Sequence, residues 1–335
     1  MQKNQVTRIP FDWSKKTVLC TGGTGSFGRV FVRSMLDQQK AAKVIVFSRD
    51  ELKQHEMRVG GFDDPRIRYF IGDVRDRERL TRAMKGVDVV VHAAALKQVV
   101  ACEYNPIEAV MTNVNGSRNV IDAALDSGVS RVLALSTDKA VNPANLYGAT
   151  KLVAEKLFVQ ANAYRGDGPT RFACVRYGNV VGSRGSVVPL FAQQRENGEL
   201  TVTDPNMTRF WLTLDHGVKF VIGCIEQMCG GEVFIPKLKT MNIVDLANAM
   251  APECRIRTVG IRPGEKLHEA LLSDEETART LDVGDKYVVR PAHPWWPEGA
   301  WPQAQPVPAD FSLVSNTAPQ RLSVLELLQM LNLAA

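Results

Sequence analysis

The feature that most constrains the fold of this chain is a glycine-rich segment, VLCTGGTGSFG, at residues 18–28. It follows a short apolar run and precedes VFVRSML, whose apolar spacing is typical of a helix. Between a strand and a helix, Gly22, Gly25 and Gly28 permit a tight turn, close backbone approach to a diphosphate, and close packing of the helix. The segment therefore predicts a dinucleotide site with the diphosphate at the helix N-terminus.

Apolar runs and helical stretches alternate beyond this first unit. The runs are rich in β-branched residues and lie at 17–20, 44–47, 69–71, 89–91, 132–135 and 172–175. Each run is almost continuously apolar, which is typical of strands covered on both faces and hence of a parallel sheet flanked by helices. We therefore predict an α/β fold, a Rossmann-type doubly wound parallel sheet with a smaller C-terminal substrate-binding lobe.

The second apolar run ends at the distance from the glycines where an adenosine ribose is read. An acid there, such as Asp50, accepts from a free 2′-hydroxyl, whereas Arg49 and Lys53 offer cations to a 2′-phosphate. We predict NADP as the cofactor, and Asp50 keeps NAD open as the alternative. The predicted cofactor-binding residues are Gly22, Thr24, Gly25, Ser26, Phe27, Gly28, Ser48, Arg49, Lys53, Asp73, Val74, Ala93, Ala94, Ala95, Tyr147 and Lys151.

Two groups in that set follow later strands. Asp73 and Val74 come after the third run, where an adenine edge can be met. Ala93, Ala94 and Ala95 follow the fourth run and offer small side chains to the middle of the cofactor, although tight helix packing explains them equally well.

A second motif, LSTDKAVNPANLYGATK at 135–151, opens at a strand end and closes with Tyr147 and Lys151. Four residues apart on a helix, these side chains share one face, so the lysine ammonium can lie near the tyrosine hydroxyl and the cofactor. A nearby cation favours the phenolate of a tyrosine, whose ordinary pKa is about 10. The pair predicts that Tyr147 removes a hydroxyl proton while a hydride leaves the same carbon, with Ser136 and Thr137 beside the substrate oxygen.

These features together resemble the extended short-chain dehydrogenases. The resemblance becomes closer through FSRDELK at 47–53, FIGDVRD at 70–76, STDK at 136–139, NPANLYGATK at 142–151, VRYGNVVGSRGSVVP at 175–189, MTRFW at 207–211 and GIRPGEKLHE at 260–269. That set is similar to the inverting UDP-N-acetylglucosamine 4,6-dehydratases, which open pseudaminic acid biosynthesis. The resemblance is dense over 18–269 and loose from Ser273 onward.

The resemblance implies a redox-neutral cycle in which C4 of the sugar is oxidised, water leaves across C5 and C6, and the hydride returns to C6. The eliminating pair of such enzymes falls on Asp138 and Lys139. Asp138 would protonate the leaving C6 hydroxyl, and Lys139 would remove the C5 proton with a pKa depressed by burial and nearby cations. The implied catalytic residues are Asp138, Lys139, Tyr147, Lys151 and Thr137, with Tyr147 or a water it controls delivering the proton that inverts C5.

Substrate-binding residues are predicted at Lys97, Asn179, Arg209, Arg262 and Glu265. Arginines supply paired donors for the diphosphate of UDP, and Glu265 can accept from ribose hydroxyls. One departure from the family pattern is Gln98, where close relatives often have histidine. Glutamine keeps the hydrogen bonding but cannot carry a proton.

Three other functions remain open from the sequence. A UDP-sugar 4-epimerase needs neither Asp138 nor Lys139, and retaining dehydratases are among the relatives that carry methionine at the position of Tyr147. An NADP-sensing regulator needs neither this pair nor the Tyr147 and Lys151 pair. The joint presence of all four side chains favours the inverting dehydratase.

The chain divides into two predicted units. Residues 1–180, joined by 214–237, are expected to form the NADP-binding domain, and 181–213 with 238–335 the UDP-sugar-binding lobe. The tail at 291–308 contains Trp295, Trp296 and Trp301 without periodicity. Tryptophans can stack on a sugar, but a loop packed over the protein surface is the preferred interpretation.

Composition narrows the partners. The net charge of +5 comes from interleaved signs, as in RDRERLTR at 75–82, which is typical of a solvated face and not of nucleic-acid binding. Because no signal peptide or membrane span is recognisable, we expect a cytoplasmic protein. Scattered cysteines and histidines predict reduced thiols and no metal site. A homo-oligomer, dimer or hexamer, is usual in the family that the chain resembles.

Overall fold

The computed structural model describes residues 11–182, 186–293, 296 and 300–331. Its largest element is a ten-stranded sheet, whose first six strands run parallel in the spatial order β3, β2, β1, β4, β5, β6. Their bounds are β1 Thr17–Thr21, β2 Lys43–Ser48, β3 Ile67–Ile71, β4 Val89–His92, β5 Arg131–Leu135 and β6 Arg171–Val175. All six predicted strands and the doubly wound fold class are confirmed. The strand order reverses between β1 and β4, which opens a crevice at their carboxyl ends.

Helices cover both faces of this sheet. Their bounds are α1 Ser26–Asp37, α2 Glu51–Val59, α3 Arg77–Met84, α4 Val99–Tyr104, α5 Pro106–Val110, α6 Gly116–Asp126, α7 Leu146–Gln160, α8 Val187–Arg195, α9 Leu214–Gln227, α10 Ile243–Met250, α11 Asp274–Thr277 and α12 Val324–Met330. Leu19 points to the core shared with α3, α6 and α7, whereas Val18 and Cys20 point to the core shared with α1, α2 and α9. This two-sided burial explains why the strands are apolar throughout.

A smaller lobe has its own core. It is built on a three-stranded sheet of β7 (Asn179–Val180), β9 (Thr208–Leu212) and β11 (Lys239–Asn242), and on a parallel pair of β8 (Glu199–Val202) and β12 (Arg255–Thr258). Phe191 of α8, Trp211 of β9 and Leu246 of α10 lie buried together in this lobe.

The C-terminal strands depart from the predicted division of the chain. Segment 214–237, which was predicted to join the first unit, contributes β10 (Val233–Pro236), and this strand pairs in parallel with β6 of the main sheet. However, β13 (Thr280–Asp282), β14 (Lys286–Val289) and β15 (Gln305–Pro306) also belong to this sheet, although 238–335 was assigned to the lobe. They pair antiparallel beyond the open edge of β10. Edge pairing between distant segments leaves no local sequence pattern, so the boundary was wrong there.

The tryptophan-rich tail is described only in part, and Trp295 lies outside the described residues. Trp301 packs edge-on against Phe234 of the main sheet, with ring centroids 5.8 Å apart, and its Nε1 donates to Glu232 over 3.3 Å. For Trp301 the structure therefore agrees with a loop packed over the protein.

Candidate active site

The chain turns sharply between β1 and α1. Gly22 has a φ of +67°, and a Cβ there would lie 3.0 Å from the backbone of Ala94. A Cβ on Gly28 would lie 2.5 Å from the Cα of Gly23, so helix and turn touch directly. Gly25 is the N-cap residue of α1, and no side chain caps the helix. An uncapped helix N-terminus beside a glycine cradle fits a diphosphate.

The residues predicted to bind the adenosine ribose lie together at the carboxyl end of β2. Thr24 and Ser48 are buried with their hydroxyl oxygens 3.0 Å apart, which ties the glycine turn to this strand. Asp50 caps α2 by accepting from the backbone N–H of Lys53, and its carboxylate also pairs with the Lys53 ammonium at 2.6 Å. The guanidinium of Arg49 is more than half exposed.

The next two strand ends complete the cofactor side of the crevice. Asp73, just after β3, lies 3.8 Å from the guanidinium of Arg49. Beyond β4, the Thr21 hydroxyl accepts from the N–H groups of Ala93 and Ala94. Asn113 then holds the same loop through two hydrogen bonds with the backbone of Leu96. The structure thus brings the predicted cofactor residues to adjacent strand ends, as parallel topology requires.

The predicted acid and base lie on one helical turn after β5, at Asp138–Ala140. Asp138 is fully buried, and its Oδ1 accepts from the Thr137 hydroxyl over 2.9 Å. The Nζ atom of Lys139 lies 3.0 Å from that same Oδ1 and 3.3 Å from Oε1 of Glu269, which is also buried. Two carboxylates and one ammonium are therefore packed together where the reacting sugar is expected.

The protonation of Lys139 differs from the expectation. Burial alone lowers the pKa of this ammonium, but Asp138 and Glu269 outweigh burial and hold the pKa above its usual value. Burial, reinforced by Asp138, raises the pKa of Glu269. The expected depression of the Lys139 pKa is not met, because Asp138 in direct contact and Glu269, a second carboxylate that the sequence did not reveal, both favour the ammonium.

Tyr147 and Lys151 lie on the first two turns of α7, which is capped by Asn145. Burial raises the pKa of Tyr147 to about 12, against the opposing effects of the Lys139 cation and a hydrogen bond with Thr137. Lys151 donates to the carbonyl oxygen of Leu135 over 2.6 Å, and burial lowers its pKa. The cation that acts on Tyr147 here is thus Lys139, whereas Lys151 was expected.

A segment from the smaller lobe closes the site. Asn145 donates to the carbonyl oxygen of Gly264 over 2.7 Å, and Lys266 donates to that of Val141 over 2.6 Å. These contacts join the segment at 260–269 to the loop between Asp138 and α7, and they deliver Glu269 to Lys139. No sequence pattern marked Glu269 as a site residue, and its one signal was its place at the end of the GIRPGEKLHE segment.

The predicted substrate residues are only partly assembled. Arg209 is buried, and its guanidinium donates to the carbonyl oxygens of Thr208, Lys266 and Leu267, so it cross-links β9 to the closing segment. Arg262 is exposed and pairs with Glu265 at 3.9 Å.

The other two predicted substrate residues, Asn179 and Lys97, lie on separate elements of the fold. Asn179 lies on β7 opposite Trp211 of β9, and Lys97 lies on the exposed loop after β4. A role in holding UDP remains a prediction for all five residues.

Within the described ranges, no cluster of His, Cys, Asp or Glu has the arrangement of a metal site. The helices of that part of the chain are also too short or too polar to cross a bilayer.

The doubly wound sheet, the glycine turn before α1 and the Tyr147 and Lys151 pair on α7 place the chain among enzymes of the extended short-chain dehydrogenase type. The chain belongs to the polysaccharide biosynthesis protein family, whose pattern it matches over residues 18–291.

Two curated relatives show how close this membership is. The chain is 50% identical over 329 residues to an inverting UDP-N-acetylglucosamine 4,6-dehydratase of Campylobacter jejuni, covering 96% of this chain and 98% of that protein. It is 43% identical over 280 residues to a UDP-glucose 4-epimerase of Rickettsia canadensis, covering 81% of this chain and 82% of that protein.

Solved structures agree with the fold. Pen from Bacillus thuringiensis matches with a TM-score of 0.87 and 38% identity, over 96% of this chain and 99% of Pen. DesIV from Streptomyces venezuelae, a dTDP-glucose 4,6-dehydratase solved with NAD, matches with a TM-score of 0.67 and 25% identity, over 75% of this chain and 86% of DesIV.

Proposed function

We propose that this protein is an NADP-dependent UDP-N-acetylglucosamine 4,6-dehydratase that inverts C5. The observation that carries the proposal is the hydrogen bond between the buried Asp138 and the partly exposed Lys139 after the end of β5, beside Tyr147. Hydride transfer alone needs no such acid–base pair, whereas removal of water needs both of its members. The 50% identical relative of the same activity supports the choice of substrate.

The first step is assigned to Tyr147. As a phenolate it takes the proton of the C4 hydroxyl, and Thr137, which is within hydrogen-bond reach of Tyr147, steadies the same oxygen. A bound nicotinamide supplies the hydride acceptor for C4 and later the hydride donor for C6. Because burial raises the Tyr147 pKa, bound cofactor and substrate must shift that pKa downward for this step.

Asp138 and Lys139 carry out the elimination. The ketone at C4 acidifies the C5 proton, which passes to the neutral amine of Lys139. Asp138, in its protonated form, gives its proton to the leaving C6 hydroxyl so that water departs. Tyr147, protonated in the first step, then returns its proton to C5 from the opposite ring face. The product is UDP-2-acetamido-2,6-dideoxy-β-L-arabino-hexos-4-ulose, an intermediate for pseudaminic acid or a related deoxy sugar.

Three observations support NADP as the cofactor. Asp50, the residue that would accept from a free ribose 2′-hydroxyl, is engaged in capping α2 and in pairing with Lys53. Arg49 is more than half exposed at the tip of β2, where a 2′-phosphate would lie. Its distance of 3.8 Å from Asp73 is long for an ion pair, so a phosphate can compete for it.

We also infer a homo-oligomer. On α4 and α5, the apolar side chains of Val100, Tyr104 and Ile107 are all more than 65% exposed, which is unusual for a surface that stays in water.

The deciding experiment is incubation of the NADP-loaded protein with UDP-N-acetylglucosamine in heavy water, followed by mass and proton NMR spectra. We expect a product that has lost one water and carries deuterium at an inverted C5. A product of unchanged mass and galacto configuration would establish the epimerase instead. Loss of water with retained configuration at C5 would establish a retaining dehydratase, and binding of NADP without turnover a regulator.

A further inference from the structure

The carboxylate of Glu269 is built into the site from a distant part of the chain. It is 2% exposed, and its backbone is held on both sides by Ser315, whose Oγ accepts from the Glu269 N–H over 2.9 Å and whose N–H donates to its carbonyl oxygen over 2.8 Å. Its Oε1 lies 3.3 Å from Nζ of Lys139. A buried carboxylate held this firmly has a fixed distance to the amine.

The charges around this contact make the arrangement unusual. Lys139 faces the carboxylates of Asp138 and Glu269, while the cations of Arg209 and Lys266 and the hydroxyl of Tyr147 lie around them. Within the described residues, one oxygen of each carboxylate is buried without a hydrogen-bond partner, namely Oδ2 of Asp138 and Oε2 of Glu269. An unpartnered buried carboxylate oxygen is costly, so its retention calls for a functional explanation.

We propose that Glu269 is a positioning residue for the elimination: it holds Nζ of Lys139 against Asp138 and stabilises the ammonium that forms when Lys139 takes the C5 proton. This inference rests on the proposed dehydratase function. In it, Glu269 fixes the position of Nζ beside Asp138, so that the amine and the acid are held in one geometry toward the substrate.

The proton balance closes without an outside acid or base. At rest, Asp138 is a carboxylate and Lys139 an ammonium, and the pair shares one mobile proton. That proton passes along the 3.0 Å hydrogen bond from Nζ to Oδ1, which creates the amine and the carboxylic acid that elimination needs. The C5–H bond then breaks and its proton joins Nζ, the electron pair forms the C5–C6 double bond, and the C6 oxygen leaves with the Asp138 proton as water. The resting pair is thereby restored, and Glu269 remains a carboxylate throughout.

The test compares Glu269→Gln, which removes the charge, with Glu269→Asp, which keeps it. With the glutamine, kcat should fall about 10- to 100-fold, because Nζ loses the ion-pair contact that fixes its position, with little change in KM. Because removal of a negative charge lowers the proton affinity of the pair, the alkaline limb of the kcat profile should move to lower pH. In Glu269→Asp, kcat should lie between the values of the wild type and of Glu269→Gln, and the alkaline limb of the kcat profile should stay near its wild-type position.

A second readout does not depend on turnover. In cofactor-free protein with [15N]lysine, the Nζ resonance of Lys139 is assigned by its absence from Lys139→Arg, and its titration is followed by NMR. We expect titration above the ordinary lysine range in the wild type and at lower pH in Glu269→Gln.

Each of these measurements can overturn the proposed role of Glu269. Unchanged kcat in Glu269→Gln, or a slower enzyme with an unmoved limb and unmoved Nζ titration, would overturn the proposal. If the glutamine variant does not fold, the wild-type titration is decisive, because Nζ titrating below the ordinary range would overturn it equally. Should the wild type fail to dehydrate UDP-N-acetylglucosamine, the proposed function is lost, whereas the Nζ titration still reports whether Glu269 acts on Lys139.

Discussion

Nζ of Lys139 lies 3.0 Å from Oδ1 of Asp138, in a hydrogen bond that is largely shielded from water. The acid and the base proposed for elimination are therefore in contact before any substrate arrives. Such a contact allows proton transfer within the pair, and it makes the function of each group dependent on the other.

Lys139→Ala should abolish water loss while the cofactor stays bound, because the amine that takes the C5 proton is gone but the cradle at α1 is untouched. We expect turnover to fall by about 10²- to 10⁴-fold, the usual contribution of one general base. Reduced cofactor, detected by absorbance, should still appear when substrate is added. Lys156→Ala on the exposed face of α7 is the control and should turn over normally. Retained turnover in Lys139→Ala would remove this residue from its role.

Arg49→Ala should weaken NADPH binding about 10-fold or more and leave NADH binding nearly unchanged, because only the former has a 2′-phosphate for the guanidinium. Fluorescence titration with both cofactors measures this. Lys43→Ala, at the other end of β2, removes an exposed cation far from the crevice and should affect neither. Equal weakening of both cofactors would contradict the assignment of Arg49 to the 2′-phosphate.

Gly28→Ala should destabilise the protein by about 1–3 kcal/mol and weaken cofactor binding, since the added Cβ would lie 2.5 Å from the Cα of Gly23. The matched control is Gly223→Ala in α9, where nothing lies within 4 Å of the added atom. Alanine favours a helix over glycine, so the control should gain about 0.5–1 kcal/mol. Urea denaturation compares the two variants, and equal effects would speak against close packing at Gly28.

The Arg176 guanidinium bridges two buried carboxylates, at 2.5 Å from Glu155 and 2.6 Å from Glu276. Arg176→Met leaves the buried Glu155 without its ion-pair partner and Glu276 with only Arg279 at 3.4 Å, and it should reduce the free energy of unfolding by about 3–5 kcal/mol. Arg195→Met breaks the exposed pair with Glu253 and should cost at most about 1 kcal/mol. Urea unfolding at neutral pH tests the pair, and a loss below 1 kcal/mol for Arg176→Met would contradict a structural role for the bridge.

Buried His92 should make the free energy of unfolding depend on pH. Burial, followed by the Lys151 cation, lowers its pKa from 6.5 to about 3. Between these pH values, His92 binds a proton in the unfolded chain but not in the folded protein. The contribution of neutral His92 to the free energy of unfolding is therefore complete above about pH 6.5 and declines as the pH falls toward 3.

The expected loss from this residue between pH 7.5 and pH 5 is about 2 kcal/mol. His92→Gln removes that loss, while other titrating groups such as His216 and His268 remain in both proteins and cancel. Urea unfolding at the two pH values gives the comparison. A variant with the same pH dependence as the wild type would show that His92 is not the group responsible.

Much of the fold could be predicted from local sequence patterns. The continuous apolar runs predicted β1 to β6, because a strand buried on both faces must be apolar throughout. The glycine turn was readable for a similar reason, since the demands for positive φ at Gly22 and for a missing Cβ at Gly28 are met by one residue type alone.

The electrostatic environment of Lys139 could not be predicted from the sequence. Asp138 and Lys139 are adjacent in sequence, and their pairing could be foreseen. Glu269, however, arrives from another lobe and adds to the effect of Asp138, and together the two carboxylates raise the Lys139 pKa where a depression was expected. Likewise, β13 and β14 join the main sheet through backbone hydrogen bonds at an open edge, which no side-chain pattern encodes.

By itself, then, the amino-acid sequence determined the parallel strands, the glycine turn before α1 and the placement of Asp138, Lys139, Tyr147 and Lys151 in one segment after β5, because each depends on a short stretch of chain. Only the tertiary structure decided which carboxylate faces Lys139, which cation acts on Tyr147 and how Arg209 is engaged. The contact between Lys139 and Glu269 joins residues more than a hundred positions apart, and Arg209 reaches the carbonyl oxygens of Lys266 and Leu267 in another segment. Such interactions are set by distance in space and not by distance along the chain.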